Sequence, residues 1–203
     1  MGIRRMIFVL AFLGLFTGLR GQGAEPEPDV PALLAGLETA FASIRRVETE
    51  FRQVKHLAMF RDEVVLCGRM TLQPPDGFRW EVETPVRTTV TADADGITVW
   101  DEFSGEQRIG FAENPAASMM WGRMADWFHG RWAQLAEQYE VELVAREPLI
   151  LRFTPKNEVW RKAMASVTVE FSSDHRYLRR LELREAGGDG SEIDFFNTVI
   201  TEK

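Results

Sequence analysis

The sequence predicts a mainly β protein, with one long antiparallel sheet or barrel and two helical segments against it. Two patterns support this. Short alternations of apolar and polar residues recur between turn residues along most of the chain, and helical spacing replaces them over 31–46 and 115–138. About ten or eleven strands result, and a sheet of that length must curl. The two helical segments are then the elements that can cover its concave face.

The first 24 residues resemble a secretory signal peptide, because two arginines precede an apolar run over 6–19 that ends in small residues. A membrane anchor is the alternative, but fourteen helical residues would span only about 21 Å of a roughly 30 Å hydrocarbon core. We therefore expect cleavage near Ala24, export to the periplasm and no stable membrane insertion. Residues 25–203 are predicted to form a single domain, which we expect to be monomeric.

Charge and cysteine content narrow the function classes. The chain carries 24 Lys and Arg against 31 Asp and Glu, and loss of residues 1–24 removes three arginines and no acid, which leaves a formal charge of −10. Such an acidic domain is a poor candidate for binding nucleic acid or an anionic membrane by charge, although apolar contact with lipid remains open. Cys67 is the sole cysteine, so no intramolecular disulfide is expected, and we interpret it as a small buried side chain.

The elements follow in order from the spacing of apolar residues. Leu33, Leu37 and Phe41 form one helical stripe after Pro31, which suits a first helical turn. After Val47 the period changes to two, and it predicts strands at about 51–57, 64–72, 78–82, 86–92, 97–100 and 107–111.

A helical insertion interrupts the strands. Asn114 and Pro115 predict its start as cap and first helical residue, and Gly130 predicts a break between two short helices. Strand patterns then resume between turn signals, at 141–147, 149–154, 165–171, 177–185 and 193–200.

No motif for catalysis or metal binding is recognisable. The three histidines lie far apart in sequence, the nucleophile elbow and phosphate-binding glycine loops are missing, and the acids alternate along outward strand positions. Folding can still assemble a Ser-His-Asp arrangement. We expect a protein that is not an enzyme and that needs no cofactor or metal.

A set of weak marks, taken together and in order over about 36–200, resembles the LolA family of outer-membrane lipoprotein carriers. The marks are Phe51-Arg52-Gln53, Gly68 before an alternating strand, Pro75 before Phe78-Arg79-Trp80, Asp95-Gly96 before Val99-Trp100, and LRFTPK at 151–156.

The resemblance implies a half-closed antiparallel barrel with a helical lid over a hydrophobic cavity, which would ferry acylated cargo through the periplasm. Partners implied by the family are an acylated lipoprotein or other lipid cargo, an inner-membrane releasing complex and an outer-membrane acceptor. The residues that would line the lipid cavity are Leu66, Met70, Leu72, Phe78, Trp80, Val82 and Val90.

The helical insertion is predicted to act as the lid, together with the N-terminal helix. Three methionines and three tryptophans fall within fourteen residues of the insertion, and such adaptable side chains suit a surface that meets variable partners. The alternative is an insertion that packs permanently on the sheet. The predicted lid residues are Leu37, Phe41, Met119, Met120, Met124, Trp127 and Phe128.

Two departures from the family pattern leave the cargo open. Alignment on Pro75 places Pro74 where the best-known carriers have an arginine that holds the lid, and proline has no side-chain donor. The last predicted strand also ends close to Lys203, whereas many carriers continue. A related lipid or glycolipid is therefore an alternative to lipoprotein, and a lipid-sensing domain of an envelope pathway is the alternative function.

Overall fold

The computed structural model describes residues 29–203, so the predicted signal peptide over 1–24 lies outside the described residues. Helix α1 (Val30–Ala42) begins at Asp29, whose carboxylate accepts a hydrogen bond from the Ala32 N–H at 3.2 Å. The helix ends earlier than predicted because strand geometry starts at Ile44, which is itself buried.

Eleven strands within 29–203 form one antiparallel sheet, in the order β6-β5-β4-β3-β2-β1-β11-β10-β9-β8-β7. The first and last strands pair with each other at its centre, and β6 and β7 are its two edges, so the sheet is not closed. The prediction of a half-closed sheet of ten or eleven strands is confirmed. The strands are β1 (Ile44–His56), β2 (Val64–Gln73), β3 (Gly77–Thr84), β4 (Thr88–Ala92), β5 (Gly96–Asp101), β6 (Gly105–Gly110), β7 (Tyr139–Arg146), β8 (Leu149–Pro155), β9 (Met164–Phe171), β10 (Leu178–Glu185) and β11 (Gly190–Glu202).

The helical insertion joins the two edge strands. It consists of α2 (Pro115–His129) and α3 (Trp132–Gln138), and the break between them falls at Gly130 as predicted. A further one-turn helix, α4 (Glu158–Arg161), lies between β8 and β9, where the sequence predicted only a turn. Over residues 29–203, no helix combines the length and the apolar character that crossing a membrane requires.

The core under α1 and α3 is aromatic. Trp132 is fully buried, and its ring lies 5.5 Å from Phe41, 6.2 Å from Phe153 and 5.1 Å from Phe171, measured between centroids. The contacts with Phe41 and Phe171 are edge-on, and such ring pairs add stability beyond the area that they bury. This cluster fixes α1 and α3 on β8 and β9, and it leaves the concave face nearer β3 to be covered by α2.

Candidate functional site

An apolar cavity of about 440 Å³ lies between the concave face of the sheet and α2. Its wall comes from both halves of the sheet, and Gln53 is its one side-chain amide; the Gln53 Nε2 donates to the Ser191 hydroxyl at 2.6 Å. The lining residues are Gln53, Phe78, Trp80, Val90, Met124, Trp127, Phe128, Tyr139, Trp160, Met164, Val167, Leu181, Leu183 and Ile193.

The wall on β3 is an aromatic stack that depends on a glycine. Phe51 is paired directly with Gly68 across β1 and β2, and its ring lies over that glycine to stack on Trp80, with centroids 3.8 Å apart. A Cβ atom at Gly68 would come within 1.8 Å of the Glu81 carbonyl oxygen and 3.0 Å of the Phe51 ring. The close approach of the strands and the position of the Trp80 ring therefore both require glycine here.

Ring contacts hold α2 against this wall. The Phe128 ring lies 5.3 Å from Phe78 and 6.5 Å from Trp80, and Trp121 meets Phe78 at 5.0 Å. On the other half of the sheet, Trp127 packs edge-on against Phe153 at 4.8 Å. These apolar contacts bring α2 to the sheet without a side-chain donor at Pro74.

We infer that the cavity opens beside Met124 on α2 and Trp160 on α4, whose side chains reach solvent. Met124 on α2 lines the cavity and is 43 % exposed, so this side chain stands at its mouth. Trp160 on α4 and Met164 at the start of β9 are half-buried lining residues on the opposite side of the mouth. Methionine and tryptophan here present flexible or large apolar surfaces to anything that enters.

The end of α2 carries an ion pair with a buried carboxylate, and a half-buried imidazole. The Arg131 guanidinium donates to the Asp126 carboxylate at 3.1 Å, and Asp126 is buried. Neither ring nitrogen of His129 has a hydrogen-bond partner. Burial first, and the positive charge of Arg131 second, lower the pKa of His129 to about 4, although Asp76 acts in the opposite direction. The histidine is therefore held neutral at physiological pH.

The structure brings together only part of the predicted cavity set. Phe78, Trp80 and Val90 line the cavity. Met70 and Leu72 lie on the same face but border a separate cleft of about 20 Å³, because Phe41 and Phe128 cover that end of β2. The other two predicted residues also lie outside the wall and pack into the core instead, Val82 as a buried side chain and Leu66 as a half-buried one.

The predicted lid residues divide in the same way. Met124, Trp127 and Phe128 on α2 line the cavity, whereas Leu37 and Phe41 on α1 are buried away from it. Phe41 borders only the small cleft and packs on Trp132. The side chains of Met119 and Met120 lie outside the described part of the chain.

Sequence reasoning missed the half of the wall that comes from β7 to β11. The alternation over β9 and β10 already indicates one buried face, so a signal for these residues exists, but it does not separate cavity wall from core. The residues missed from this half are Tyr139, Met164, Val167, Leu181, Leu183 and Ile193, and Trp160 on α4 and Gln53 on β1 were missed as well.

Comparison with known families decides the classification. The family model described as outer membrane lipoprotein carrier protein LolA matches residues 42–203. The chain belongs to the LolA family. The resemblance predicted from the sequence is thereby confirmed. No curated protein matches this LolA-family sequence.

Solved structures share the fold of this LolA-family chain at low sequence identity. MucB matches with a TM-score of 0.50 and 14% identity, over 85% of this chain and 59% of MucB. The lipoprotein LppX of Mycobacterium tuberculosis matches with a TM-score of 0.46 and 14% identity, over 83% of this chain and 95% of LppX. A LolA superfamily protein of Nitrosomonas europaea matches with a TM-score of 0.41 and 10% identity, over 84% and 94% of the two chains. At these identities the likeness concerns the fold alone.

Proposed function

We propose that this LolA-family protein is a periplasmic carrier that binds acyl chains in the cavity and ferries acylated cargo from the inner to the outer membrane. The single observation that carries the proposal is the apolar cavity under α2, whose wall holds one amide and no charged side chain. Such a wall favours a hydrocarbon ligand and gives a charged headgroup no partner inside. In this role the protein transfers its cargo unchanged and performs no catalysis.

The cavity volume sets the capacity of this conformation. If a methylene group takes up about as much space as a water molecule, ~30 Å³, a volume of about 440 Å³ holds roughly fifteen such groups. That corresponds to one long acyl chain. A cargo with three chains therefore requires α2 to move away from the sheet, or two of its chains to remain at the mouth.

Energetics explain why a movable α2 would help a carrier. Burial of roughly fifteen methylene groups is worth on the order of 12 kcal/mol, which would make release slow if nothing opposed it. Phe128 packs on Phe78 and Trp80, and cargo that displaces this ring must replace its contacts. The lid then competes with the cargo and assists release. We propose that an inner-membrane releasing complex loads the cargo and that an outer-membrane acceptor removes it.

The test is a pair of tryptophan substitutions. Leu183→Trp adds a large ring to the cavity wall, whereas Val144→Trp adds the same ring to an exposed position on β7. We expect Leu183→Trp to weaken binding of a fluorescent fatty-acyl probe at least tenfold, with an unchanged or higher thermal midpoint, because a filled cavity stabilises the fold. Val144→Trp should bind the probe as the wild type does. Unchanged binding by Leu183→Trp would exclude this cavity as the acyl site.

A second experiment identifies the cargo. Mass spectrometry of material that copurifies with the exported protein distinguishes a lipoprotein from a glycolipid or another lipid. We expect acylated molecules to be recovered from the wild type and to be depleted in Leu183→Trp. Equal recovery from both proteins would mean that these molecules bind elsewhere.

A further inference from the structure

Of the five most exposed large apolar side chains of the described residues, four lie in connections between strands, and the fifth is Val199 on β11. Met59 is 83 % exposed and Phe60 56 %, both between β1 and β2. Phe103 is 80 % exposed between β5 and β6, and Val159 is 75 % exposed on α4, between β8 and β9. We refer to Met59, Phe60, Phe103 and Val159 as the apolar tips. Single exposed apolar residues are common on protein surfaces, whereas a group of them on one side of a protein indicates a binding surface.

The sheet places these three connections at the same end. Every neighbouring pair of strands is antiparallel, and β5, β1 and β8 are the second, sixth and tenth strands in the order. Because an even number of steps separates them, the three strands run in one direction. The connections that follow them therefore leave the sheet at one end. Trp160, at the mouth of the cavity, lies in the same connection as Val159. The apolar tips thus stand at the end where the cavity opens.

Charge differs between the two ends of the sheet. At the end with the apolar tips, the connections 57–63, 85–87, 102–104, 156–163 and 186–189 hold five basic and five acidic residues, and are neutral overall. At the opposite end, acidic side chains outnumber basic ones by six to two; the acids are Asp76, Asp93, Asp95, Glu113, Glu147 and Asp174, and the bases are Arg176 and Lys203. Approach to an anionic lipid surface is therefore electrostatically favoured through the end with the apolar tips.

We propose that the apolar tips dock this protein reversibly on the surface of a lipid bilayer, with the mouth of the cavity facing the lipid. The tips project from separate connections, a geometry that suits a broad, deformable apolar surface such as the interfacial region of a bilayer. Neutral charge at this end makes the repulsion from an anionic surface smaller than at the acidic opposite end. An acyl chain can then pass between membrane and cavity with little exposure to water, so the tips have a function beyond holding the cargo.

The test uses two double variants and vesicles. Phe60→Ser with Phe103→Ser removes two apolar tips, and Val144→Ser with Val199→Ser removes exposed apolar side chains from β7 and β11 as the control. Binding to sucrose-loaded phosphatidylcholine vesicles is measured by sedimentation. We expect the wild type and the control to bind, and the tip variant to bind at least about tenfold more weakly. High salt should leave binding unchanged, because the contact is apolar.

Two further measurements separate this inference from the carrier function. Both double variants should bind the fatty-acyl probe in solution like the wild type, since neither changes the cavity wall. All three proteins are compared as residues 25–203, so that the apolar run over 6–19 contributes nothing to vesicle binding. Absence of vesicle binding by the wild type, or an equal loss in the control, would overturn the proposal. Capture of an envelope protein through the tips, without vesicle binding, would also overturn it and make a protein the partner.

Discussion

Replacement of Gly68 by alanine tests whether the aromatic wall of the cavity depends on the close approach of β2 and β3. The added Cβ would lie 1.8 Å from the Glu81 carbonyl oxygen, whereas unstrained contacts between such atoms begin near about 3.5 Å. Strand β3 must therefore move by more than about 1.5 Å. The shift also disturbs the Phe51 ring, which lies over Gly68 and stacks on Trp80.

The cost follows from two contributions. Overpacking of a tight site costs about 1–3 kcal/mol, and each hydrogen bond lost from the β2–β3 ladder adds about 0.5–1.5 kcal/mol. We expect Gly68→Ala to lower the free energy of unfolding by about 3 kcal/mol. For a domain of this size, this corresponds to a thermal midpoint lowered by about 6–12 °C. Acyl-probe binding should weaken as well, because Trp80 lines the cavity.

Gly36→Ala is the matched control. Nothing lies within 4 Å of a Cβ atom at Gly36, which is in α1. Alanine in a helix is better than glycine by about 0.5–1 kcal/mol, so this variant should have a thermal midpoint about 1–4 °C higher and unchanged probe binding. The midpoints are measured by circular dichroism. A Gly68→Ala midpoint within 2 °C of the wild type, which corresponds to roughly 1 kcal/mol or less, would refute the reasoning, because the strands would then accommodate the atom without strain.

Three further substitutions test α2 and its end. Between about pH 6.5 and pH 4 the unfolded chain binds a proton at His129 that the folded chain does not, so the wild type loses stability as the pH falls through this range. His129→Phe should not show this loss. Equal pH profiles of the two proteins in thermal denaturation would contradict the prediction. Gly130→Ala should lower the midpoint, because φ is +71° and the Cβ would lie 2.6 Å from the Phe41 ring; an unchanged midpoint would show that the turn relaxes. Met124→Glu should leave the midpoint nearly unchanged, because the side chain already reaches water, and should weaken acyl-probe binding; undiminished binding would place the entrance elsewhere.

Local sequence could predict the β3 side of the cavity because its signals are short-range. A turn precedes Phe78, and the two-residue period then places Phe78, Trp80 and Val82 on one face. Burial in β3 follows this pattern, and the charged partners Arg79 and Glu81 form an ion pair of 2.6 Å on the opposite face. The face was therefore predictable from the period alone. The period could not predict which residues of this face line the cavity, since Val82 lies on the face but packs into the core.

The division between wall and core depends on contacts between distant parts of the chain. Val167 and Val169 are two residues apart on the same face of β9 and are equally buried, yet of the two only Val167 lines the cavity. That difference depends on where α2 and α3 lie over the sheet, and no local pattern contains this information. Trp160 was missed for another reason, because α4 is a single turn and is too short to show a helical period.

The question of whether α2 is a lid or a fixed part of the core is best tested at Phe128. Met124 is a weak test, since it is already exposed, whereas Phe128 is buried against Phe78 and Trp80. If α2 were fixed, Phe128→Glu would bury an uncompensated carboxylate at a cost of several kcal/mol, and the fold would be lost.

If α2 is a lid, the helix swings outward and the carboxylate is hydrated. We expect this second outcome for Phe128→Glu: cooperative unfolding at a lower midpoint, new protease cleavage within 111–131, and loss of acyl-probe binding. Leu135→Glu is the control for a fixed position, because Leu135 lies on α3 and is almost fully buried in the core. We expect the Leu135→Glu protein not to fold. If Phe128→Glu also fails to fold, α2 is a permanent part of the core, and acyl chains must enter a preformed cavity past Met124 and Trp160.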